Sequence, residues 1–133
     1  MTGVSAPECP CGRGLGLADC CGPVIDDTRP AATAEALMRS RYTAFALGDG
    51  DHLRRSWAPE TCPTRIRLDP ARRWTGLEVL SVVDGRELAT TGVVEFRAHY
   101  VVDGIPRTLH ERSRFRRERG RWVYVDGTVG PST

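Results

Sequence analysis

TGVVEFRAHYVVDGIPRTLHERSRFRRERGRWVYVDG, residues 91–127, decides the fold. Apolar and β-branched residues alternate with charged ones at period two, the pattern of strands that have one buried and one wet face. The pattern breaks at Asp103-Gly104 and at Glu118-Arg119-Gly120, where glycine supplies the positive φ of a tight hairpin. A similar run, LEVLSVV at 77–83, ends in Asp84-Gly85, another hairpin signal. The reading is an antiparallel meander.

Turn length sets the register. A two-residue turn at Asp103-Gly104 opposes Val102 to Ile105, so that Phe96 meets Glu111 and Ala98 meets Leu109. A four-residue turn from Arg117 to Gly120 sets Phe115 against Trp122, Ser113 against Tyr124 and Glu111 against Asp126. One face then carries Phe96, Ala98, Tyr100, Leu109, Glu111, Ser113, Phe115, Trp122, Tyr124 and Asp126. The other carries Glu95, Arg97, His99, His110, Arg112, Arg114 and Arg116. The first face is core, and the second is a solvated strand surface with pairs such as Glu95 with Arg112.

Upstream of the strands the period changes to that of helices. Thr33 caps a helix that has Glu35 in its first turn and runs through ALMRSRYTAFAL until Gly48 stops it. A shorter helix follows Asp49 or Asp51, placing Leu53 and Trp57 one turn apart before Pro59 ends it. Helices first and strands after predict an α+β domain in which helices cover one face of a curved antiparallel sheet.

The first helix carries a charge in an apolar place. At 100° per residue Ala34, Leu37, Ala44 and Phe45 form its sheet-facing stripe with Arg41 in the middle, while Arg39 and Thr43 point away. A buried guanidinium costs several kcal/mol unless it is partnered. The facing sheet offers Glu111 and Asp126. Arg41 and Glu111 are therefore expected to meet inside the domain, with Asp126, Ser113, Tyr42, Trp57 and Tyr124 nearby. Such a pair either fixes the helix on the sheet or lines a ligand pocket. In a pocket, Arg41 would bind an anionic group and Glu111 would act as general base with Asp126 as a further candidate, chemistry that suits a lyase or isomerase.

Near the N-terminus stands CPCGRGLGLADCCGP, too short and too rich in glycine and proline to build its own core. Cys9, Cys11, Cys20 and Cys21 have the spacing C-x-C, eight residues, C-C, and four thiolates are what a closed tetrahedral structural zinc site requires. Two disulfides would be the alternative, but a reducing cytoplasm opposes them and adjacent Cys20 and Cys21 could bridge only through a strained ring. With no coordination position open, Zn2+ here organises the fold and activates no water. Cys62 stands apart beside Pro63 with no base near it in sequence, and is expected to be a buried or incidental thiol. The segment reads as a metal-held appendage of residues 1–28, followed by the α+β domain over 29–133.

Composition excludes several classes. The 133 residues carry a net charge of +2 with 40% hydrophobic and 27% charged residues, ordinary globular values. No window approaches the roughly 18 apolar residues of a membrane span, and MTGVSAPECP lacks a basic start and an apolar stretch. The expected location is cytoplasmic. All nineteen basic residues are Arg, a uniformity that genomic composition explains without nucleic acid, and the Arg-rich strand face lacks the interleaved aromatics of a base-stacking platform. Specific nucleic-acid binding is not expected.

CPCGRG, DCCGP, ALMRSRYTAFALGD, LHERSRF and RWVYVDG, spread over residues 9–127, resemble the YchJ-like family of small bacterial proteins, and the cysteine array resembles the SEC-C motif. The resemblance implies a nuclear-transport-factor-2-like domain, a cone of helices over a bent antiparallel sheet. It brings no activity, since relatives of that fold include dehydratases, isomerases and binding modules. SEC-C segments are associated with protein or ribosomal partners. The resulting expectation is a zinc-binding module that makes a protein or ribosome contact through the knuckle loop around Arg13 to Asp19, and is an adaptor more than an enzyme. The alternative is a small-molecule-binding protein or an enzyme using the Arg41 and Glu111 pocket.

Overall fold

The period-two residues become a four-stranded antiparallel sheet in sequence order: β1 (Arg72–Asp84), β2 (Thr91–Val102), β3 (Ile105–Glu118) and β4 (Arg121–Val129). This computed structural model describes residues 7–130, so the outer ends of the two expected segments, 1–28 and 29–133, lie outside the described residues. Asp103 and Gly104 take φ of 52° and 75°, the paired left-handed values of a two-residue type I′ turn. Val102 opposes Ile105, Phe96 opposes Glu111 and Ala98 opposes Leu109, the register expected from that turn.

The β3–β4 register is different from the expected one. Arg119 and Gly120 take φ of 52° and 80°, so the turn has two residues, not four, and Glu118 opposes Arg121. Phe115 then faces Tyr124 instead of Trp122. Val125 is an extra residue, because Phe115 pairs with Tyr124 and Arg114 pairs with Asp126. This bulge turns Asp126 outward and brings Gly127 onto the inner face opposite Ser113. The pairing of Glu111 with Asp126 is thereby replaced by Glu111 with Val129. Two more bulges, at Thr75 and Leu80, bend β1. Three interruptions on the two outer strands curl the sheet into a trough.

Helix α1 is a single turn (Gly22–Ile25), α2 spans Ala34–Leu47 and α3 spans Gly50–Arg55. Thr33 Oγ1 accepts from Ala36 N at 3.0 Å, and left-handed Gly48 ends α2 with Asp49 N donating to Ala44 O at 2.8 Å. Asp49 Oδ1 caps α3 by accepting from His52 N. That helix stops at Arg55, short of Pro59. Ser56 Oγ donates back to His52 O at 2.7 Å, and the chain turns into an extended bridge against β4. Ala58 N donates to Tyr124 O and Tyr124 N to Ser56 O, both at 2.8 Å, so Trp57 leaves the helix and packs edge-on against Tyr124.

The cysteine segment is docked, not hung apart. Arg39 Nη1 donates to Cys11 O at 3.0 Å, Cys9 Sγ lies 3.6 Å from Thr43 Oγ1, and all four cysteines join the buried cluster that includes Leu37, Met38 and Tyr42. Thr43, expected to point away from the sheet, is fully buried beneath the knuckle. Helix α2 is thus covered on two sides.

Its start is fixed by a close approach of backbones. Ala34 N donates to Gly85 O at 2.9 Å, and a Cβ on Gly92 would fall 2.6 Å from Gly85 Cα and 3.0 Å from Ala34 Cβ. Gly92→Ala should therefore destabilise the domain by about 1–3 kcal/mol through overpacking. Urea unfolding checks this, with the midpoint falling and the slope unchanged.

Candidate functional site

Two groups of side chains are placed by this architecture. The first is the cysteine cluster, where a 3₁₀ turn at Leu17–Asp19 and α1 fold the chain back so that Cys20 and Cys21 return beside Cys9 and Cys11. All four Sγ atoms lie within 4.8 Å of one another, and all four residues are buried. Cys11 and Cys20 are 3.6 Å apart, Cys20 and Cys21 4.0 Å. Hydrogen bonding from Cys21 pulls the Cys11 thiol down to about 4. Burial, followed by hydrogen bonding with Cys11, pushes Cys20 up to about 11, and the bond with Cys11 raises Cys21 as well. Four thiolates at this distance require a cation between them, so the cluster can hold a metal ion. Cys62 takes no part and lies by Arg54.

The second group lines a cavity of about 230 Å³ between α2 and the trough of the sheet. Its walls are largely aromatic, with Trp74, Phe96, Phe115 and Tyr42 among them. Arg41, Trp57, Glu111, Ser113 and Tyr124 also line it, so the structure brings these expected residues together around one space. Asp126 is not among them. The bulge at Val125 sends it to the outer face, where Arg114 grips it through two bonds of 2.6 Å.

Arg41 is only 6% exposed. Its Nη1 donates to Leu53 O at 2.9 Å and Ser56 Oγ at 2.7 Å, and the guanidinium carbon lies 4.7 Å from the Trp57 ring centre and 4.5 Å from that of Tyr124. Among the described residues no carboxylate forms a salt bridge with it. The expected direct pair with Glu111 is absent because both are held elsewhere. Burial lowers Arg41 to about 10, which leaves it cationic at neutral pH.

Glu111 accepts at Oε2 from Ser113 Oγ, 2.5 Å, and from Tyr124 Oη, 3.1 Å. Burial, reinforced by this carboxylate, raises the Tyr124 hydroxyl well above the tyrosine range. Gly127 makes the seat: a Cβ there would lie 2.1 Å from Glu111 Oε2. A lone glycine within a strand signals such an approach. That signal in WVYVDG was available in the sequence. Trp57 Nε1 is a buried donor with no acceptor among the described residues.

A histidine that sequence reasoning passed over is buried against the same helix. His52 is buried and its Nε2 lies 2.8 Å from Ser40 Oγ, which donates to Leu37 O at 2.7 Å. With Ser40 already donating to a carbonyl, Nε2 carries the proton. Burial, then Arg41 and Arg55, lower His52 to about 4 against the opposing pull of Asp49 and Asp27.

The outer face is laced with pairs. His99 Nε2 meets Glu78 Oε1 and His110 Nε2 meets Glu95 Oε2, each at 2.6 Å, and Arg116 is paired with Glu60 and Glu118. Glu95 stands opposite Arg112 in register, but its carboxylate goes to His110. No helix among the described residues is long and apolar enough to cross a membrane.

Residues 33–127 match the family described as YchJ, middle NTF2-like domain. The UPF0225 protein of Streptomyces coelicolor is 54% identical over 121 residues, covering 91% of this chain and 94% of that protein. A UPF0225 protein of Chromobacterium violaceum is 50% identical over 125 residues, covering 91% and 92%. The solution structure of a SEC-C motif containing protein from Rhodopseudomonas palustris superposes with a TM-score of 0.81 at 38% identity, covering 92% of this chain and 98% of that one. A SEC-C motif containing protein from Psychrobacter arcticus gives 0.69 at 27% identity, covering 100% and 79%.

The depressed histidine makes stability depend on pH. The unfolded chain binds a proton at His52 near pH 6.5 and the folded chain only near 4, so stability falls as pH drops through that window. The loss should reach as much as about 3 kcal/mol. Denaturant titrations between pH 7 and 4 should show this slope in the parent chain and a flatter one in His52→Gln.

Proposed function

The chain belongs to the YchJ-like family, with an NTF2-like α+β domain and a SEC-C cysteine motif, and on that premise we propose that it is a zinc-stabilised binding protein whose cone takes a small organic molecule. The observation that carries this reading is the cavity of about 230 Å³, apolar in its walls, into which Arg41, Glu111 and Ser113 converge. Ligand sites have this composition: apolar walls and a few placed polar groups.

Zinc is the metal that best suits the cluster. Zn–S bonds of about 2.3 Å give tetrahedral sulfur separations of about 3.8 Å. The observed 3.6 and 4.0 Å bracket that value. Four protein sulfurs leave no open position, so the ion is structural. The adaptor reading, in which the knuckle loop contacts a protein or ribosomal partner, has less geometry behind it. Leu15 is exposed there, but Arg13 is drawn back toward Glu35 at 3.9 Å. The second reading of the same pocket is catalysis with Glu111 as general base and without Asp126, which Arg114 holds on the outer face.

Elemental analysis of the purified chain should give one zinc per molecule. Cys20→Ser should abolish it and Cys62→Ser should leave it intact. Chelation should lower the melting temperature of the whole domain, because the cysteines share a core with α2. For the cavity, a fragment screen followed by amide and aromatic chemical shifts should move Trp74 and Phe96 resonances. Ala98→Phe, which fills the trough, should erase those shifts while zinc content stays at one.

A further inference from the structure

Resting on the reading of the cone as a binding site, we infer that its ligand is a small cyclic monocarboxylate that also carries a hydroxyl or amino donor. The carboxylate answers Arg41. That guanidinium is buried and has used Nη1 on Leu53 O and Ser56 Oγ, leaving Nε and Nη2 without an acceptor among the described residues. A buried cation with no counterion costs several kcal/mol, and a planar carboxylate is the group a guanidinium edge binds through two parallel bonds.

The charge of the ligand is limited to one. The second ionisable group inside the cavity is Glu111, which repels any further negative charge. A phosphate dianion reaching Arg41 would therefore stand beside the Glu111 carboxylate, with only the exposed Arg72 as a further cation of the lining. Arg72 stands at the rim, exposed and stacked 4.2 Å over Tyr100, where it draws anions toward the mouth without entering.

Glu111, joined to Arg41 through Tyr124, supplies the second polar contact. Both of its donors, Ser113 and Tyr124, bind Oε2, so Oε1 has no donor among the described residues and accepts one from the ligand. Size and walls define the rest. A cavity of 150 Å³ holds benzene, so 230 Å³ suits one ring with two substituents, roughly ten non-hydrogen atoms. Trp74, Phe96 and Phe115 give that ring aromatic neighbours.

Calorimetry and chemical shifts on the full chain, with 3- and 4-hydroxybenzoate, benzoate, 4-hydroxybenzyl alcohol and phenyl phosphate as probes, test this. A hydroxybenzoate should bind best, and loss of the carboxylate in the alcohol should weaken binding on the order of tenfold or more. Glu111→Gln should remove the preference for hydroxybenzoate over benzoate, with benzoate binding at least as tightly as to the parent chain because the repelling charge is gone. Arg41→Met should level acid and alcohol. Should that variant not fold, the ranking of probes on the parent chain decides alone. An alcohol that binds as well as the acids, or a phosphate that binds better, overturns the ligand class and leaves the cavity as a binding site. If no probe shifts any resonance of the cavity wall, both readings fall.

Discussion

Helix α2 has no free side over most of its length, and the rest of the structure answers that constraint. The sheet covers one flank and the cysteine knuckle the other, so each polar side chain on the helix must find a partner inside the protein. Ser40 bonds Leu37 O and His52, Arg41 reaches Leu53 O and Ser56, Thr43 meets Cys9, and Arg39 holds Cys11 O as well as Glu35. These partners fix the path of α3 and of the knuckle. Helix α3 is too short to be stable alone, and its position comes from His52, Leu53 and Ser56.

The sheet meets the same helix with a shape set by its irregularities. Bulges at Thr75, Leu80 and Val125 bend the two outer strands, while β2 and β3 pair without a shift. A flat sheet would press its whole inner face against α2. A curled one touches the helix at its start, where Gly85 and Gly92 admit Ala34, and stands off further along. The cavity occupies that stand-off. Its polar end is built by the bulge at Val125, which removes Asp126 and presents Gly127, and only a glycine there lets Glu111 lie flat beneath Tyr124.

Most of the architecture was legible in the sequence because it rests on local rules. Period-two alternation, the Asp103-Gly104 turn, the Thr33 cap and the Gly48 stop each name a conformation through the chemistry of one or two residues. The cysteine cluster was legible for a similar reason, since thiol spacing is itself the site. The β3–β4 register was not. A turn of two residues and a turn of four residues give the same inward set up to Tyr124, so alternation alone could not separate them; the partners were shifted from the turn onward, and the faces first differ at Asp126, beyond the bulge. Arg41 was placed inward by periodicity, but its partners are a backbone carbonyl and a serine that α3 supplies through tertiary packing. Ser40 and His52 gave no pattern at all, being polar residues made internal by the docking of the knuckle and α3.

That docking ties the two sites to one helix turn. Arg39 touches the cysteine segment through Cys11 O, Arg41 reaches the cavity, and between them Ser40 is locked to His52. Rotation of α2 by one residue would move Arg41 out of the trough and Thr43 away from Cys9 together. A metal bound by Cys9 and Cys11 would therefore also restrain the angle at which Arg41 enters the cavity. Structural metal sites hold small modules that lack enough core of their own. Here the cysteine module backs the helix that carries the buried charge, so its order and the geometry of the cavity are one property of the fold.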